Sequence, residues 1–270
     1  VRWTIRLIIG FYIAIIVVLH IPAMQKFAGN QISDVLSKKL GTEVKIGQVE
    51  IGLLNHLILN DITIYDQKQK KMLKASRIAA KFDIIELLRN GRIRISSAQI
   101  FGLHANLYKK NRNANPNFKF VLDSLASKDE RSKSPLDLQI RSLIIRNSSV
   151  TYDELDATIT RRKFNPKHLD LRNISGHLNL NELTDNRISF TSEGLSFKEV
   201  SGLEVLNLAF EGVADKKQAK LRGFKLQLAN SRILIPSIYF QFKHINDELD
   251  LNSLRAKVSI KDSYVTPFDV

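Results

Sequence analysis

The sequence predicts a mainly β protein, in which an N-terminal transmembrane helix is followed by an elongated, strongly curved, antiparallel or mixed β-sheet with a few short helices. Three observations support this fold class: an uncharged run near the N-terminus, alternation of apolar and polar residues along most of the chain, and repeated breaks in that alternation. The chain has only 12 Gly and 6 Pro, so Asn, Asp and Ser are expected to form most of the turns.

The uncharged run extends from Leu7 to Gln25, where 19 residues contain no Asp, Glu, Lys or Arg. A helix needs roughly 20 apolar residues to cross a bilayer, whereas the apolar part of a signal peptide has about 7–15. We therefore predict a retained anchor over residues 1–26, with a cleaved signal peptide or a helix of a globular core as alternatives. Arg2 and Arg6 precede the run and only Lys26 follows it, so the positive-inside rule places everything after the anchor outside the cytoplasm.

Composition gives weaker information about partners. The net charge of +14 suits an acidic partner such as an anionic lipid surface, and the chain has no Cys, as suits an oxidising compartment. Nucleic acid is the competing partner, because residues 109–120 combine four basic residues with two Phe. An anchored, extracytoplasmic chain rarely meets nucleic acid, so we predict none.

The elements follow from the change of period along the chain. Residues 27–40 have helical spacing, and Gly41 ends that helix. Short helices are also expected before Gly91 and after Pro116. Period-two strands are expected at 44–51, 57–65, 75–82, 100–108, 136–152, 168–180, 187–197, 203–213, 220–242 and 248–260. We divide the chain into the anchor at 1–26, an α+β region at 27–126, a linker at 127–135 and a β-repeat groove segment at 136–270.

The alternation breaks six times in the same way, with two polar or small residues between aliphatic residues. The pairs are Asn60-Asp61, Ser96-Ser97, Arg141-Ser142, Arg172-Asn173, Arg222-Gly223 and Asn252-Ser253. In a plain strand each break would send the later apolar side chains to the wrong face. A bulge or a tight corner restores the face and bends the strand. Unless the matches arise by chance, the pattern predicts long, sharply curved strands with one apolar face.

That apolar face has two possible uses. A sandwich or barrel packs it into a core, whereas an open sheet leaves an apolar trough that can hold lipid acyl chains. Periodicity alone does not separate the two. The candidate groove-lining residues are Leu57, Leu59, Ile62, Ile64, Ile93, Ile95, Ile100, Leu138, Ile140, Leu143, Ile145, Leu171, Ile174, Leu226 and Leu228.

Motifs for catalysis are missing from the sequence. It has no Gly-x-Ser-x-Gly motif and no phosphate-binding Gly-rich loop. The six His never fall at i, i+2 or i, i+4 spacing, so no metal site is expected. The acidic residues Asp153, Glu154 and Asp156 are expected at a hairpin tip. We predict a protein that is not an enzyme and has no cofactor.

The order of elements resembles the AsmA-like family, and within it most closely the TamB group of translocation and assembly module subunits. The matching features are the uncharged run, the helix ending in Leu40-Gly41-Thr42-Glu43-Val44, the strand Leu57 to Tyr65, residues Ile84 to Gly91 leading into Ile93, and the strand Ile100 to Tyr108. The resemblance covers residues 7–125, whereas 136–270 match only as generic β-repeat.

The resemblance implies a single-pass protein of the bacterial inner membrane with most of its chain in the periplasm. Its apolar β-groove would carry phospholipid between the inner and outer membranes and support outer-membrane protein assembly and secretion. A BamA- or TamA-like outer-membrane barrel would be its partner through a C-terminal part beyond this chain, which would make the chain an N-terminal portion of a longer protein. The alternative is a structural envelope tether or adaptor with a filled β core.

Overall fold

The computed structural model describes residues 3, 4, 6, 10, 21–52, 56–83, 89, 93–126, 136–160, 163–183, 187–215, 218–241 and 255–269. Within them, 11 strands form one sheet whose spatial order is the order of the sequence. The strands are β1 (Val44–Gly52), β2 (His56–Tyr65), β3 (Lys71–Phe82), β4 (Ile93–Lys109), β5 (Leu136–Glu154), β6 (His168–Leu183), β7 (Arg187–Glu199), β8 (Glu204–Asp215), β9 (Gln218–Leu228), β10 (Arg232–Gln241) and β11 (Arg255–Tyr264). The helices are α1 (Pro22–Leu40), α2 (Lys119–Ala126) and a 3-10 turn at Pro267–Asp269.

The sheet is mixed because one pair of neighbouring strands is parallel. β4 and β5 run in the same direction, whereas the other neighbours are antiparallel. A parallel pair needs a long return connection, and here the return contains α2. The predicted linker at 127–135 belongs to the same connection and lies outside the described residues. The predicted helix before Gly91 also lies almost entirely outside them.

Helix α1 is fastened along β1 by its serines and by its C-terminal cap. Pro22 occupies the first turn, and Gly41 ends the helix in the left-handed conformation, with φ of 66°. The hydroxyls of Ser37 and Ser33 accept hydrogen bonds from the amides of Val44 and Ile46, at 2.9 and 3.1 Å. These bonds keep α1 on one face of the sheet.

The buried core lies between α1 and the first four strands. Apolar side chains from β1, β2 and β3 meet Ile32 and Leu36 of α1, and Phe120 of α2 packs at the margin. The buried members are Leu40, Val44, Ile46, Val49, Leu57, Leu59, Ile62 and Ala75. A smaller cluster joins Ala80 and Ile95 to Val35. Both clusters therefore belong to the covered part of the sheet, β1–β4.

Several breaks in the alternation coincide with left-handed backbone. Asp61, Asn173 and Gly223 have φ of 54°, 54° and 58°, and each is the second residue of a predicted polar pair. Gly102 and Asn147 also have left-handed backbone, with φ of 61° and 48°, at positions that the sequence pattern did not indicate. Such a residue turns the following side chains back to the original face. The pair Asn252-Ser253 lies outside the described residues.

The predicted strong curvature is wrong, because the sheet is not strongly curled. Part of the physical reason lies in β1–β5, where the breaks of neighbouring strands are in step, whereas the pairs from β5–β6 to β8–β9 carry register shifts. Ile46 pairs with Ile62 and Gln48 with Asn60, so Gly47 lies beside Asp61 without a change of register. In β3, Ser76 and Arg77 separate Ala75 from Ile78, and a side chain at Gly102 of β4 would meet Ser76 Oγ at 2.7 Å, so the breaks in these two strands lie side by side. In-step breaks restore the face on both strands and leave one continuous layer.

The predicted single-pass inner-membrane anchor is also corrected. Among the residues that the structure describes, no helix has both the length and the apolar character to cross a membrane. The described end of the uncharged run, residues 22–25, belongs to α1, which continues through Lys26, Asp34, Lys38 and Lys39. Gln25 is buried against β1, where its side-chain oxygen accepts a hydrogen bond from Gln48. The rest of the run, residues 7–9 and 11–20, lies outside the described residues.

One predicted strand is in fact two. Residues 220–242 divide into β9 and β10, which form a hairpin around Ser231. The amide of Leu228 donates to the carbonyl of Ser231 at 2.9 Å, and this bond closes the turn. The run Ala229-Asn230-Ser231 is short and carries no Gly or Pro, which is why apolar periodicity extends across it.

Candidate functional site: an uncovered apolar face

Paired residues show that one apolar face continues across the sheet. Direct partners on neighbouring strands point to the same side. A single row of partners runs Val49, Leu59, Ile78, Ile100, Ile145, Gly176, Leu195, Leu208, Leu226 and Ile233, from β1 to β10. The side of the sheet that faces α1 at β1 is therefore the same side at β10.

We call the part of this side formed by β5–β10 the uncovered apolar face. Its larger side chains are Leu143, Ile145, Leu171, Ile174, Leu195, Phe197, Leu208, Phe210, Leu221, Phe224, Leu226, Leu228, Ile233, Ile235, Ile238 and Phe240. In the described part of the chain, the clusters of buried apolar side chains do not extend to these strands. At strand spacings of about 4.8 Å and rises of about 3.3 Å per residue, the face measures roughly 25 by 35–60 Å.

Neighbouring strands supply most of the packing on this face. Ile174 and Leu228 are buried, at 6% and 4% exposure, but most of the other side chains stay half-buried. Phe210 of β8 stacks edge-on against Phe190 of β7 with ring centroids 5.5 Å apart, and it lies 6.1 Å from Phe224 of β9. A band of rings therefore crosses three strands at the surface.

Charge separates the two sides of the sheet. The middle of the uncovered apolar face has no charged residue at its inward positions, whereas the opposite side carries Arg146, Arg172, Lys198, Arg222 and Lys225. The opposite side is thus a charged, solvated surface of mixed sign, on which Arg172 and Lys198 pair with Asp170 and Glu204 and Arg222 lies beside Glu211.

The predicted groove residues fall into three groups. Leu57, Leu59, Ile62, Ile64, Ile95 and Ile100 lie in the core beneath α1. Leu143, Ile145, Leu171, Ile174, Leu226 and Leu228 lie on the uncovered apolar face. Ile93, Leu138 and Ile140 belong to β4 and β5, and their side chains are outside the described set.

The structure adds residues that the sequence analysis missed, chiefly the aromatic and aliphatic side chains of β7, β8 and β10. They include Phe197, Phe210, Ile235 and Phe240. The same alternation runs through these strands, so the signal was present in the sequence. What was missing was the pairing that places them beside Leu171 and Leu226.

Buried carboxylates close the turns at one end of the sheet. Asp66 Oδ1 accepts hydrogen bonds from the amides of Lys68 and Lys70 at 2.8 and 2.9 Å, and the Tyr108 hydroxyl donates to Oδ2 at 2.7 Å. Burial alone raises the pKa of Asp66, but these bonds and one from Asn117 outweigh it and lower the pKa below its usual value. Burial and the bond to Asp66 raise the pKa of Tyr108 to about 12.

The acidic group predicted at a hairpin tip is tied into ion pairs. Glu154 is 5% exposed and lies 2.8 Å from Lys109 Nζ and 3.6 Å from Lys167 Nζ. The hydrogen bond from Lys109 lowers the pKa of Glu154. Asp153 pairs with His168 at 2.9 Å, and this bond raises the pKa of His168. The Glu154–Lys109 pair holds the β5–β6 connection against β4, whereas the Asp153–His168 pair joins the ends of β5 and β6.

No group of three or more His, Cys, Asp or Glu among the described residues is arranged to hold a metal ion.

The comparisons with known proteins do not name a family: the chain matches no protein-family model and no curated protein.

Proposed function

We propose that the protein is a lipid-binding protein without enzymatic activity, and that the uncovered apolar face holds phospholipid acyl chains. The observation that carries this proposal is the row of paired apolar side chains that leaves the cover of α1 at β4 and continues to β10. An exposed apolar surface of this extent is typical of a ligand or membrane contact.

The energetics support an acyl chain as the ligand. Each methylene that leaves water for an apolar surface contributes about 0.8 kcal/mol. Half-buried Leu, Ile and Phe side chains, with no charge among them, offer that surface along the strands. An acyl chain needs no hydrogen-bonding partner, so the lack of charge in the middle of the face does not weaken binding.

The wider role follows the AsmA-like resemblance: the protein would shield acyl chains while phospholipid moves between two membranes. Support of outer-membrane protein assembly and pairing with a BamA-like barrel remain predictions of that resemblance. A tether with a filled core is the competing function, and it requires a second layer over β5–β10.

The test measures lipid bound to the purified full chain by mass spectrometry, for the wild type and for Ile235→Asp. Ile235 lies on β10, the last strand of the face, where it pairs with Phe224 and is half-buried. The matched control is Ser237→Asp, on the same strand but paired with Arg222 on the polar side. We expect phospholipid with the wild type and with Ser237→Asp, and its loss with a folded Ile235→Asp. A lipid-free wild type would reject the lipid function and favour the tether.

A further inference from the structure

Three neighbouring connections at one end of the sheet form a basic surface, which we call the basic end. Their described residues are 66–71, 109–112, 153–160 and 163–167, which together contain eight Lys or Arg and four Asp or Glu. Two of the four acids, Asp66 and Glu154, are buried. The described residues of this end therefore carry a net positive charge, and its exposed lysines face solvent.

Hydrogen bonds join these connections into one surface. The amide of Leu155 donates to the carbonyl of Lys109 at 3.0 Å, which ties the β5–β6 connection to the end of β4. The Tyr108 hydroxyl reaches Asp66 and ties the β2–β3 turn to the same strand. Lys68 and Lys70 extend over the Tyr108 ring, 5.7 and 5.6 Å from its centroid. The three connections are consequently adjacent in space.

The β5–β6 connection also exposes three large apolar side chains within ten residues. Leu155, Ile159 and Phe164 are 60%, 71% and 54% exposed. The connection is held from within, because the amide of Glu154 donates to the Lys167 carbonyl at 2.8 Å and His168 Nε2 lies 3.0 Å from the Ala157 carbonyl. These hydrogen bonds fix the loop in a conformation that exposes its apolar side chains to water. Such exposure costs free energy unless a partner covers the side chains.

We propose that the basic end docks on an anionic lipid bilayer, with Leu155, Ile159 and Phe164 inserting into its interface and the surrounding lysines meeting the headgroups. Apolar side chains flanked by Lys and Arg are the combination that binds such an interface, and each Lys close to it contributes about fivefold in affinity. An acidic protein would satisfy the charges but leaves three exposed apolar side chains without a reason. This inference deepens the proposed function by naming where a lipid-binding sheet meets a membrane, and its test is separate.

The experiment places a single tryptophan at the surface and asks whether it enters lipid. The chain has one Trp, Trp3, so the background is full-length Trp3→Phe. Phe164→Trp reports the basic end. Tyr239→Trp is the control, since Tyr239 is an aromatic residue near the opposite end of β10, paired with Lys220 and Lys257 on the polar side. Both variants are mixed with phosphatidylglycerol vesicles and with phosphatidylcholine vesicles, with and without brominated acyl chains.

We expect the emission of Phe164→Trp to shift to the blue and to be quenched by brominated lipid on phosphatidylglycerol vesicles, while Tyr239→Trp is unchanged. Neutralising Lys68, Lys70 and Lys163 to Gln in the Phe164→Trp protein should raise the lipid concentration for half-quenching about a hundredfold. Lys225→Gln, an exposed lysine of β9 on the polar side, should change it less than twofold.

Two results would overturn the docking proposal. One is emission from the Phe164→Trp protein that still reports an indole in water while the protein is bound to phosphatidylglycerol vesicles. The other is equal quenching on phosphatidylcholine vesicles, which would show that the lysines do not select the headgroup. Lipid bound to the purified chain separates the two proposals. Loss of bound lipid with Ile235→Asp, but not with the lysine variants, concerns the sheet face. Vesicle docking by a chain that binds no lipid would support the basic end and reject the lipid-binding face.

Discussion

The covered strands β1–β4 and the uncovered strands β5–β10 carry the same apolar alternation but meet different surroundings. Val49, Leu59 and Ile62 are 2%, 7% and 3% exposed beneath α1. Leu208 and Ile233, which lie on the same side of the sheet, are half-buried with no described helix over them. The difference teaches that one pattern serves two purposes, since apolar residues under a helix stabilise the fold and apolar residues without one are available to a ligand.

The largest contrast is expected from a charge in each region. Val49→Asp places an unpaired carboxylate in the closed core and should lower the free energy of unfolding by about 4 kcal/mol or more, which is close to the whole stability of many domains. Ile235→Asp should cost about 1–2 kcal/mol, because its carboxylate reaches water. Urea denaturation followed by circular dichroism measures both. If Ile235→Asp unfolded the protein as completely as Val49→Asp, the face would have to be covered.

Truncation of a leucine in each region gives a milder version of that contrast. Leu59→Ala leaves a cavity in the core and should cost about 2–4 kcal/mol. Leu226→Ala removes a side chain from a surface that water already reaches, so no closed cavity forms, and we expect about 1 kcal/mol. Added phospholipid should raise the stability of the wild type more than that of Leu226→Ala. Identical costs for the two variants in lipid-free protein would argue against two regions.

The two left-handed glycines Gly102 and Gly223 separate backbone strain from crowding. Alanine at either position is strained by the positive φ, at a cost of about 1–2 kcal/mol. At Gly102 the new Cβ would also lie 2.7 Å from Ser76 Oγ, whereas at Gly223 nothing lies within 4 Å. Gly102→Ala should therefore be the more destabilising by about 1 kcal/mol in paired thermal melts. The reverse order would contradict the in-step alignment of breaks in β3 and β4.

The smallest expected effect is the change of folding stability at acidic pH that comes from Asp66 in the β2–β3 turn. The folded-state pKa of Asp66 is lowered, so its contribution to stability is present above the unfolded value of about 3.9 and is lost as pH falls through the folded value. Asp66→Asn should flatten the loss of stability below pH 4 and reduce the pKa of Tyr108 from about 12. Asp123→Asn, on the exposed side of α2, is the control. Acid unfolding that is the same in Asp66→Asn and the wild type would show that this turn contributes nothing.

Much of the secondary structure could be predicted from the sequence, because strand periodicity is local. The breaks at Asp61, Asn173 and Gly223 were located from two polar residues between aliphatics, and the backbone turns there. Curvature was not predictable from the same signal, since it depends on whether neighbouring strands break at the same level. The anchor prediction failed where the uncharged run enters α1, because absence of charge does not show whether a helix faces lipid or a sheet.

The candidate site was likewise predictable only in part. The apolar partners Ile145, Leu171 and Leu226 were recognisable from alternation alone, whereas the grouping with Phe210 and Ile235 required the strand order. Exposure of Leu155, Ile159 and Phe164 was not predicted, because an aliphatic residue in a loop has no period that distinguishes a buried side chain from an exposed one.

The sequence by itself determined most of the side chains that share a face, because the alternation of a β-strand is a property of consecutive residues. The breaks at Asp61, Asn173 and Gly223 are marked by a pair of polar or small residues, whereas those at Gly102 and Asn147 are not. Only the tertiary structure decided which part of that face is closed. Helix α1 has just 19 residues and lies along β1, so its apolar side covers the first strands and stops there. Covering depends on the length and placement of a second layer, and no local pattern in β5–β10 records either.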